Sequence, residues 1–420
     1  MSSVSFDNAT YPLSDVQENP ARYLARLERA KVTPGHAVCL CVPRREPLRL
    51  VIRRYGKFCH LAGWPEDGHR HFPGGTNAPA CPFYKDRDAQ SSNGDVDTTA
   101  AIVATPGGIN AKLDIALVQR ESASGARRTA GTGSSGTSRR AASLLAFLQT
   151  LWMTARLNRW SGLATSRHWG ICNAMLLAEL GDAVVNGEPA QTALHVMRRY
   201  EEADRAAINA EFDAFLDGVA ITGVTSCRGL IIGEVNELAR TQFGYSLSLR
   251  QSARKYYCST ELVAHAEKTF AHAWRALGDR SARVVAILLV ERTSKGHLRL
   301  VDLAAMLCSA AFLPCDSIHE VALANRLVTE HRAFEKPMRM TRGEDMLPDF
   351  ELTDTAPRYH VEVYGMNGLP AYEARKEAKR ELRRQRGIPA LEWDVDKTPL
   401  PQLTLPPAAV AAASRQRSTT

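Results

Sequence analysis

Arg358-Tyr-His-Val-Glu-Val-Tyr-Gly365 alternates its side chains with the period of two that a β-strand imposes. Tyr359, Val361 and Val363 fall on one face, and His360, Glu362 and Tyr364 on the other. Just upstream, Leu347-Pro-Asp-Phe-Glu-Leu352 reads as a second strand opening on Pro348-Asp349. Further upstream, Ser317-Ile-His-Glu320 has the spacing of a helix capping box and leads into the helical run Val321–Val328. Downstream lie a basic helix, Tyr372–Leu382, and a closing strand, Ile388-Pro-Ala-Leu-Glu-Trp-Asp394. The segment from Pro314 to Asp396 therefore reads as helix, hairpin, helix and strand.

Working outward, Val284-Val-Ala-Ile-Leu-Leu-Val290 is the longest apolar run, and Arg283 and Glu291 flank it. It is far shorter than the ~20 residues of a membrane span, so it predicts a buried strand. The chain has 420 residues, enough for two or three domains at roughly 150 residues each. With 45% hydrophobic and 23% charged residues it is neither disordered throughout nor collagen-like nor a disulfide mini-scaffold. Lys and Arg number 53 against 45 Asp and Glu, and the net charge of +8 leans toward anionic partners. Nine cysteines, several in apolar helical contexts, and a start lacking a secretory pattern lead us to expect reduced thiols, a cytoplasmic location and no membrane partner.

From Val38 to Tyr84 the chain is rich in Cys, His, Gly and Pro. Cys39, Cys41, His69, His71 and Cys81 fall within 43 residues. Zinc takes tetrahedral sulfur and nitrogen ligands, and a closed site can staple a unit that lacks its own core. Cys39 and Cys41, two apart on a strand, share a face. Cys81 would close the site, with His71 or His69 as fourth ligand. The competing reading is of ordinary buried cysteines and solvated histidines. Residues 122 to 138, largely Ser, Gly, Thr, Ala and Arg, read as a flexible linker. From Ala141 to about Asp217 the spacing of Leu144, Leu145, Leu148, Leu151 and Trp152 predicts helix. A short strand over Gly229–Val235 and further helix follow. The tail from Lys397 has a composition that predicts disorder.

The order of elements after Pro314 resembles the restriction-endonuclease-like fold, the PD-(D/E)XK nuclease superfamily. The resemblance implies that Asp349 and Glu362 hold Mg2+, that Glu320 completes the site, and that the metal activates water for phosphodiester hydrolysis. The usual Lys two residues after the second acid is replaced by Tyr364, and Lys376, or else Lys379, on the following helix is its substitute. Arg375, Lys379, Arg380, Arg383 and Arg384 would contact the phosphate backbone. Each residue also has a plainer reading: Glu320 as a capping-box partner, Asp349 as a turn residue, and the helix lysines and arginines as a solvated face.

Over its length the chain also resembles a bacterial family catalogued as domain of unknown function 1173. The marks are Cys39-Leu-Cys41, Ala78-Pro-Ala-Cys-Pro82, Leu148-Gln-Thr-Leu-Trp-Met-Thr-Ala155, Arg159-Trp-Ser161 and Arg167-His-Trp169. They continue with Ile231-Ile-Gly-Glu-Val235, Phe312-Leu-Pro-Cys-Asp-Ser317 and Arg332-Ala-Phe-Glu-Lys336. The resemblance implies a protein of plasmids and integrative conjugative elements. It also implies a His four residues before the last Cys; here that residue is Asn77, which leaves the fourth zinc position open, with His71 as substitute.

These readings together predict an α+β chain: a Cys/His-rich β module with a candidate Zn2+ site over 36–120, a linker over 121–140 and a mainly helical region over 141–280. A restriction-endonuclease-like α/β/α sheet follows over 281–396, and a disordered tail over 397–420. The expected function is that of a mobile-element accessory protein cutting nucleic acid, DNA above all, with Mg2+. The alternative is a non-enzymatic protein that keeps an inactive nuclease fold and binds nucleic acid or other proteins of the element.

Overall fold

The computed structural model describes residues 2–55, 57–64, 67–74, 80–84, 101–105, 108–120, 142–163, 166–181, 183–222, 225–338, 346–365 and 370–409. The expected linker, residue Asn77 and the last eleven residues of the tail lie outside them. The chain is a mixed α/β assembly of several sheets, and no described helix is long and apolar enough to cross a membrane.

The first sheet begins at the very start of the chain, not at residue 36. Ser3–Phe6 and Ala9–Pro12 form a hairpin across Asp7 and Asn8, both in left-handed backbone (φ 50° and 58°). Such a two-residue turn matches strand twist and favours Asp and Asn. Ala37–Cys39, Leu48–Tyr55 and Phe58–Gly63 complete five antiparallel strands. The helix Pro20–Val32 buries Tyr23, Leu27 and Ala30 against them. This unit thus has its own core, containing Val4, Phe6, Leu50 and Ile52, and a metal is not its only source of cohesion. Residues Ile102–Thr105 and Gly108–Ala111 belong elsewhere, in a small sheet with Val184–Val185 and Glu188–Pro189.

The region from 141 to 280 is not mainly helical. Its helices Leu144–Thr154 and Trp169–Leu180 are present, but they pack on a ring of strands. The ring runs Thr225–Thr241, Gly244–Leu249, Lys255–Cys258, Leu298–Ser309, Ala282–Arg292 and back to Thr225–Thr241. Only the pairing of Lys255–Cys258 with Leu298–Ser309 is parallel. The strand Thr225–Thr241 closes the ring by pairing with Ala282–Arg292 through Arg228–Glu234 and with Gly244–Leu249 beyond Val235. A bulge between Val235 and Glu237 marks the hand-over, where an extra residue bends the strand. Val284, Ala286, Leu288 and Val290 face the ring's interior core, and Val285, Ile287 and Leu289 face the helices. Burial on both faces, at about 1.5–3 kcal/mol per large side chain, is why this strand reads as an unbroken apolar run.

The C-terminal sheet therefore excludes residues 282–309, which belong to the ring. Its strands run Ala390–Asp394, Tyr359–Tyr364, Phe350–Leu352, Ala333–Glu335 and Arg159–Ser161, the last contributed from before the ring. The first pair is parallel and the others antiparallel. The helix Ile318–Thr329 precedes this sheet and Pro370–Arg386 connects its parallel strands. Residues 397–409 are packed where disorder is expected from composition. Leu403 is buried, Leu400 and Leu405 pack on the core, and the Ala409 amide donates to the Asp354 carbonyl at 2.8 Å.

Candidate metal centre and carboxylate cluster

Cys39 ends the strand Ala37–Cys39, and Cys41 lies two residues beyond. His71 follows the single 3-10 turn Gly68–Arg70. The Cys81 amide donates to the Phe72 carbonyl at 2.8 Å, bringing the returning chain against His71. Gly74 makes that return possible: its φ is +99°, and a Cβ there would meet the Ala80 amide nitrogen at 3.1 Å.

Cys39 Sγ lies 3.6 Å from Cys81 Sγ, and His71 Nδ1 lies 3.5 Å from Cys41 Sγ and 3.6 Å from Cys81 Sγ. All four ligand atoms fall within 4.8 Å of one another. The Phe72 amide donates to Cys41 Sγ at 3.4 Å. The thiols share their protons unequally. Hydrogen bonds from Cys39 and Cys81 hold Cys41 far below the ordinary thiol range. The same bond to Cys41, with burial, pushes Cys39 up to about 12. Hydrogen bonds to Cys39 and Cys41, with burial, push Cys81 up as well. Three sulfurs and one imidazole nitrogen form a donor set that can hold a metal ion such as zinc. Of the two histidines considered from sequence, it is His71 that joins the cysteines; His69 is not in the group.

The second cluster lies at the C-terminal sheet. Ser317 caps the helix Ile318–Thr329: its Oγ accepts from the Glu320 amide at 3.2 Å. The Glu320 carboxylate accepts from the Asp316 amide at 3.1 Å and from Lys336 Nζ at 2.7 Å. Lys336 also reaches Asp316 at 2.7 Å. The Asp349 amide donates to the Val361 carbonyl at 3.0 Å, and its carboxylate accepts from the Val363 amide at 2.7 Å. Burial pushes Asp349 up; Lys336 opposes this, and the charge of Glu362 adds to it. Burial likewise pushes Glu320 up against the pull of Lys336.

Glu362, with its side chain 2% exposed, is clamped by Lys379 Nζ and Arg383 Nη1, both at 2.9 Å. Lys379 also donates to the Leu347 carbonyl at 2.9 Å. Lys376 is placed elsewhere: its Nζ lies 4.2 Å over the Tyr364 ring and 3.7 Å from Asp394. The ammonium beside Glu362 is therefore that of Lys379, not Lys376. Among the described residues the Cys/His quartet is the only group of three or more His, Cys, Asp or Glu side chains placed to hold a metal. Glu320, Asp349 and Glu362 do not form one; Lys336 pairs with Glu320, Lys379 and Arg383 pair with Glu362, and Asp349 accepts from the Val363 amide.

The expected phosphate-binding face is also largely spent. Arg383, 3% exposed, bonds Glu362, Glu392 and the Tyr364 hydroxyl. Arg380 pairs with Glu392 and Glu377, and Arg384 with Glu381. Arg375 is exposed. The strands opposite the helix carry Glu362, Tyr364, Glu392 and Asp394, so its inward positions are basic. Lys336 is the site residue that sequence reasoning missed. It follows the three-residue strand Ala333–Glu335 and closes the family mark Arg332–Lys336, which carries no recognised catalytic spacing.

A family model described as "Protein of unknown function (DUF1173)" matches residues 14–394, so the chain belongs to that family. No curated protein and no solved structure matches it.

Proposed function

We propose that this DUF1173 chain is a nucleic-acid-binding protein of bacterial mobile elements, whose C-terminal region keeps a restriction-endonuclease-like fold without its metal chemistry. The fold reading is supported by the element order. A helix, three antiparallel strands, a second helix and a strand parallel to the third follow one another from Ile318 to Asp394. The mobile-element setting is what the family resemblance implies. Its zinc centre is read as a structural staple of the N-terminal sheet.

One observation carries the loss of chemistry: both oxygens of Glu362 already accept from cations of the chain itself, Lys379 and Arg383. Mg2+ needs free carboxylate oxygens at about 2.1 Å. Replacing the buried Arg383 guanidinium with that ion would break a pair whose loss costs about 3–5 kcal/mol, and the half-buried Lys379 would have to be displaced as well. Tyr364, at the place of the usual Lys, hydrogen-bonds into the same network at 3.3 Å from Arg383. The net charge of +8 favours a polyanionic partner.

A second reading rests on Asp349, which accepts from the Val363 amide and whose carboxyl is raised by burial and by the nearby Glu362 charge. A divalent cation would relieve that crowding. In this reading Asp349 and Glu362 hold Mg2+ with Glu320 beside them, and phosphodiester hydrolysis follows. Incubation of labelled single- and double-stranded DNA and RNA with Mg2+, Mn2+ or EDTA separates the two. Binding that weakens with salt, survives EDTA and gives no cleavage is the expected result. Mn2+-dependent nicking abolished by Asp349→Asn would overturn it in favour of the enzyme.

A further inference from the structure

The ring of strands has a partly exposed outer face, and its connectivity carries a consequence separate from the carboxylate cluster. In chain order the five strands Thr225–Thr241, Gly244–Leu249, Lys255–Cys258, Ala282–Arg292 and Leu298–Ser309 pair as first, second, third, fifth, fourth and back to first. The third and fifth run parallel, and the helices Thr260–Thr269 and Ala271–Arg275 connect the third to the fourth. This is the Greek-key connectivity of the OB-fold barrel, in which the second and third strands and the first–second and fourth–fifth loops frame the ligand face.

Cross-strand partners share a face, so the register Ser246–Tyr257–Arg299–Glu291–Arg228 traces one row across the outside of the barrel. Tyr257 is 41% exposed and meets the His297 ring edge-on at 5.6 Å. Arg299 has a side chain 60% exposed. Glu291 is neutralised from both sides, by Arg228 at 2.8 Å and by Arg299. Lys255 is exposed one residue pair along the strand. The first–second loop is a tight turn at Gln242 and Phe243. Gly244 holds it at φ +145°, where a Cβ would meet the Cys258 carbonyl at 2.5 Å. Phe243 is thereby left 89% exposed at the tip. The fourth–fifth loop offers exposed Lys295 and His297.

We infer that this face binds single-stranded nucleic acid, with unpaired bases stacking on Tyr257 and Phe243 and phosphates held by Lys255, Lys295 and Arg299. The positive charges select a polyanion over a neutral oligosaccharide, the other ligand such barrels take. Exposed rings select unpaired bases, whose π-faces are free to stack. The assignment deepens the nucleic-acid reading of the proposed function and does not depend on the state of the carboxylates.

The test is fluorescence anisotropy of full-length protein with a labelled thymidine oligonucleotide of about 20 residues, a matched duplex and a neutral glucan oligosaccharide as competitor. Single strands should bind more tightly than duplex. Phe243→Ala and Tyr257→Ala should each weaken binding by roughly tenfold, Tyr257→Phe should retain it, and Lys255→Gln should lower the salt slope by about one. These side chains are exposed, so unchanged melting temperatures verify folding. If wild-type protein binds oligonucleotide and the two alanine variants bind equally well, the face is wrongly assigned while the nucleic-acid reading stands. Absence of any binding by wild-type protein, or capture of the glucan alone, sinks both.

Discussion

Cys81→Ser should cost the chain a bound zinc ion, and the size of the effect follows from the geometry. Zinc bonds sulfur at about 2.3 Å and nitrogen at about 2.0–2.1 Å. A regular tetrahedron with those arms has S···S edges of about 3.8 Å and S···N edges of about 3.5 Å. The quartet has 3.6 Å between Cys39 and Cys81, and 3.5 and 3.6 Å from His71 to Cys41 and Cys81. The Cys39–Cys81 edge thus lies about 0.2 Å from the ideal value, and every other pair of ligand atoms lies within 4.8 Å. Wild-type protein should carry one zinc per chain by elemental analysis, with X-ray absorption giving three sulfur neighbours and one nitrogen. Binding linked to folding stabilises by about 4 kcal/mol at free metal a thousandfold above Kd. The quartet sits in the N-terminal unit, which also has a core of its own around Leu27, Leu50 and Ile52. Chelation should therefore raise amide exchange over Ala37–Cys39 and Leu48–Tyr55 and leave Ala282–Arg292 protected. An absorption spectrum of oxygen and nitrogen neighbours alone, or a Cys81→Ser protein keeping stoichiometric zinc with three sulfurs, would refute the reasoning.

Arg383→Met leaves the buried Glu362 with Lys379 as its one remaining ion-pair partner among the described residues and removes a bond to Glu392. It should destabilise the protein by about 3–5 kcal/mol in urea unfolding, and a loss under 1 kcal/mol would show that the pair is not buried as described. Stability should also fall in mild acid. Burial, with the charge of Arg198 adding to it, pushes His195 down to about 3 from the ordinary 6.5. Between those values the unfolded chain binds a proton that the folded chain excludes, so this contribution is complete above pH 6.5 and declines as pH drops. The loss is about 2 kcal/mol at pH 5, from 1.5 pH units at 1.36 kcal/mol each. His195 stacks on Phe212 at 4.9 Å, and His195→Phe should flatten the pH profile of unfolding between pH 7 and 5. An unchanged slope would remove His195 as its source.

What could be read from sequence was what repeats locally. The apolar run Val284–Val290 and the alternation over Tyr359–Tyr364 are strands because both faces, or one face, meet a core. Cys39, Cys41, His71 and Cys81 were legible as residue types that share a ligand chemistry. The barrel was not legible, because its closure depends on pairing residues far apart, such as Tyr257 with Arg299 and Gly229 with Val290. The distal half of Thr225–Thr241 carries solvated Asn236, Glu237 and Arg240, which hid the strand's length. A usable signal did exist beside it: Tyr245, Leu247 and Leu249 alternate with Ser246 and Ser248. The opening hairpin was missed although Asp7-Asn8 supplies the turn chemistry it needs.

The basic helix Pro370–Arg386 shows why a charge run underdetermines function. Lys376, Lys379, Arg380 and Arg383 recur at three- and four-residue spacing, which places them on one side of a helix whether that side meets phosphate or protein. The choice is made by the facing strands. Glu362 and Glu392 are register partners on the parallel pair, as are Tyr364 and Asp394, so two rows of acceptors lie directly beneath the basic side. A carboxylate as buried as Glu362 needs a counter-charge in any state of the protein. The helix supplies it covalently tethered, through Lys379 and Arg383. Two such tethered cations supply that counter-charge at Glu362, which is the ground on which the proposed function does without a divalent ion there; Glu320 and Asp349 each accept from an amide as well. The same arithmetic leaves the barrel's outer row as the favoured polyanion site, since Arg299 there keeps most of its side chain in solvent after Glu291 is satisfied.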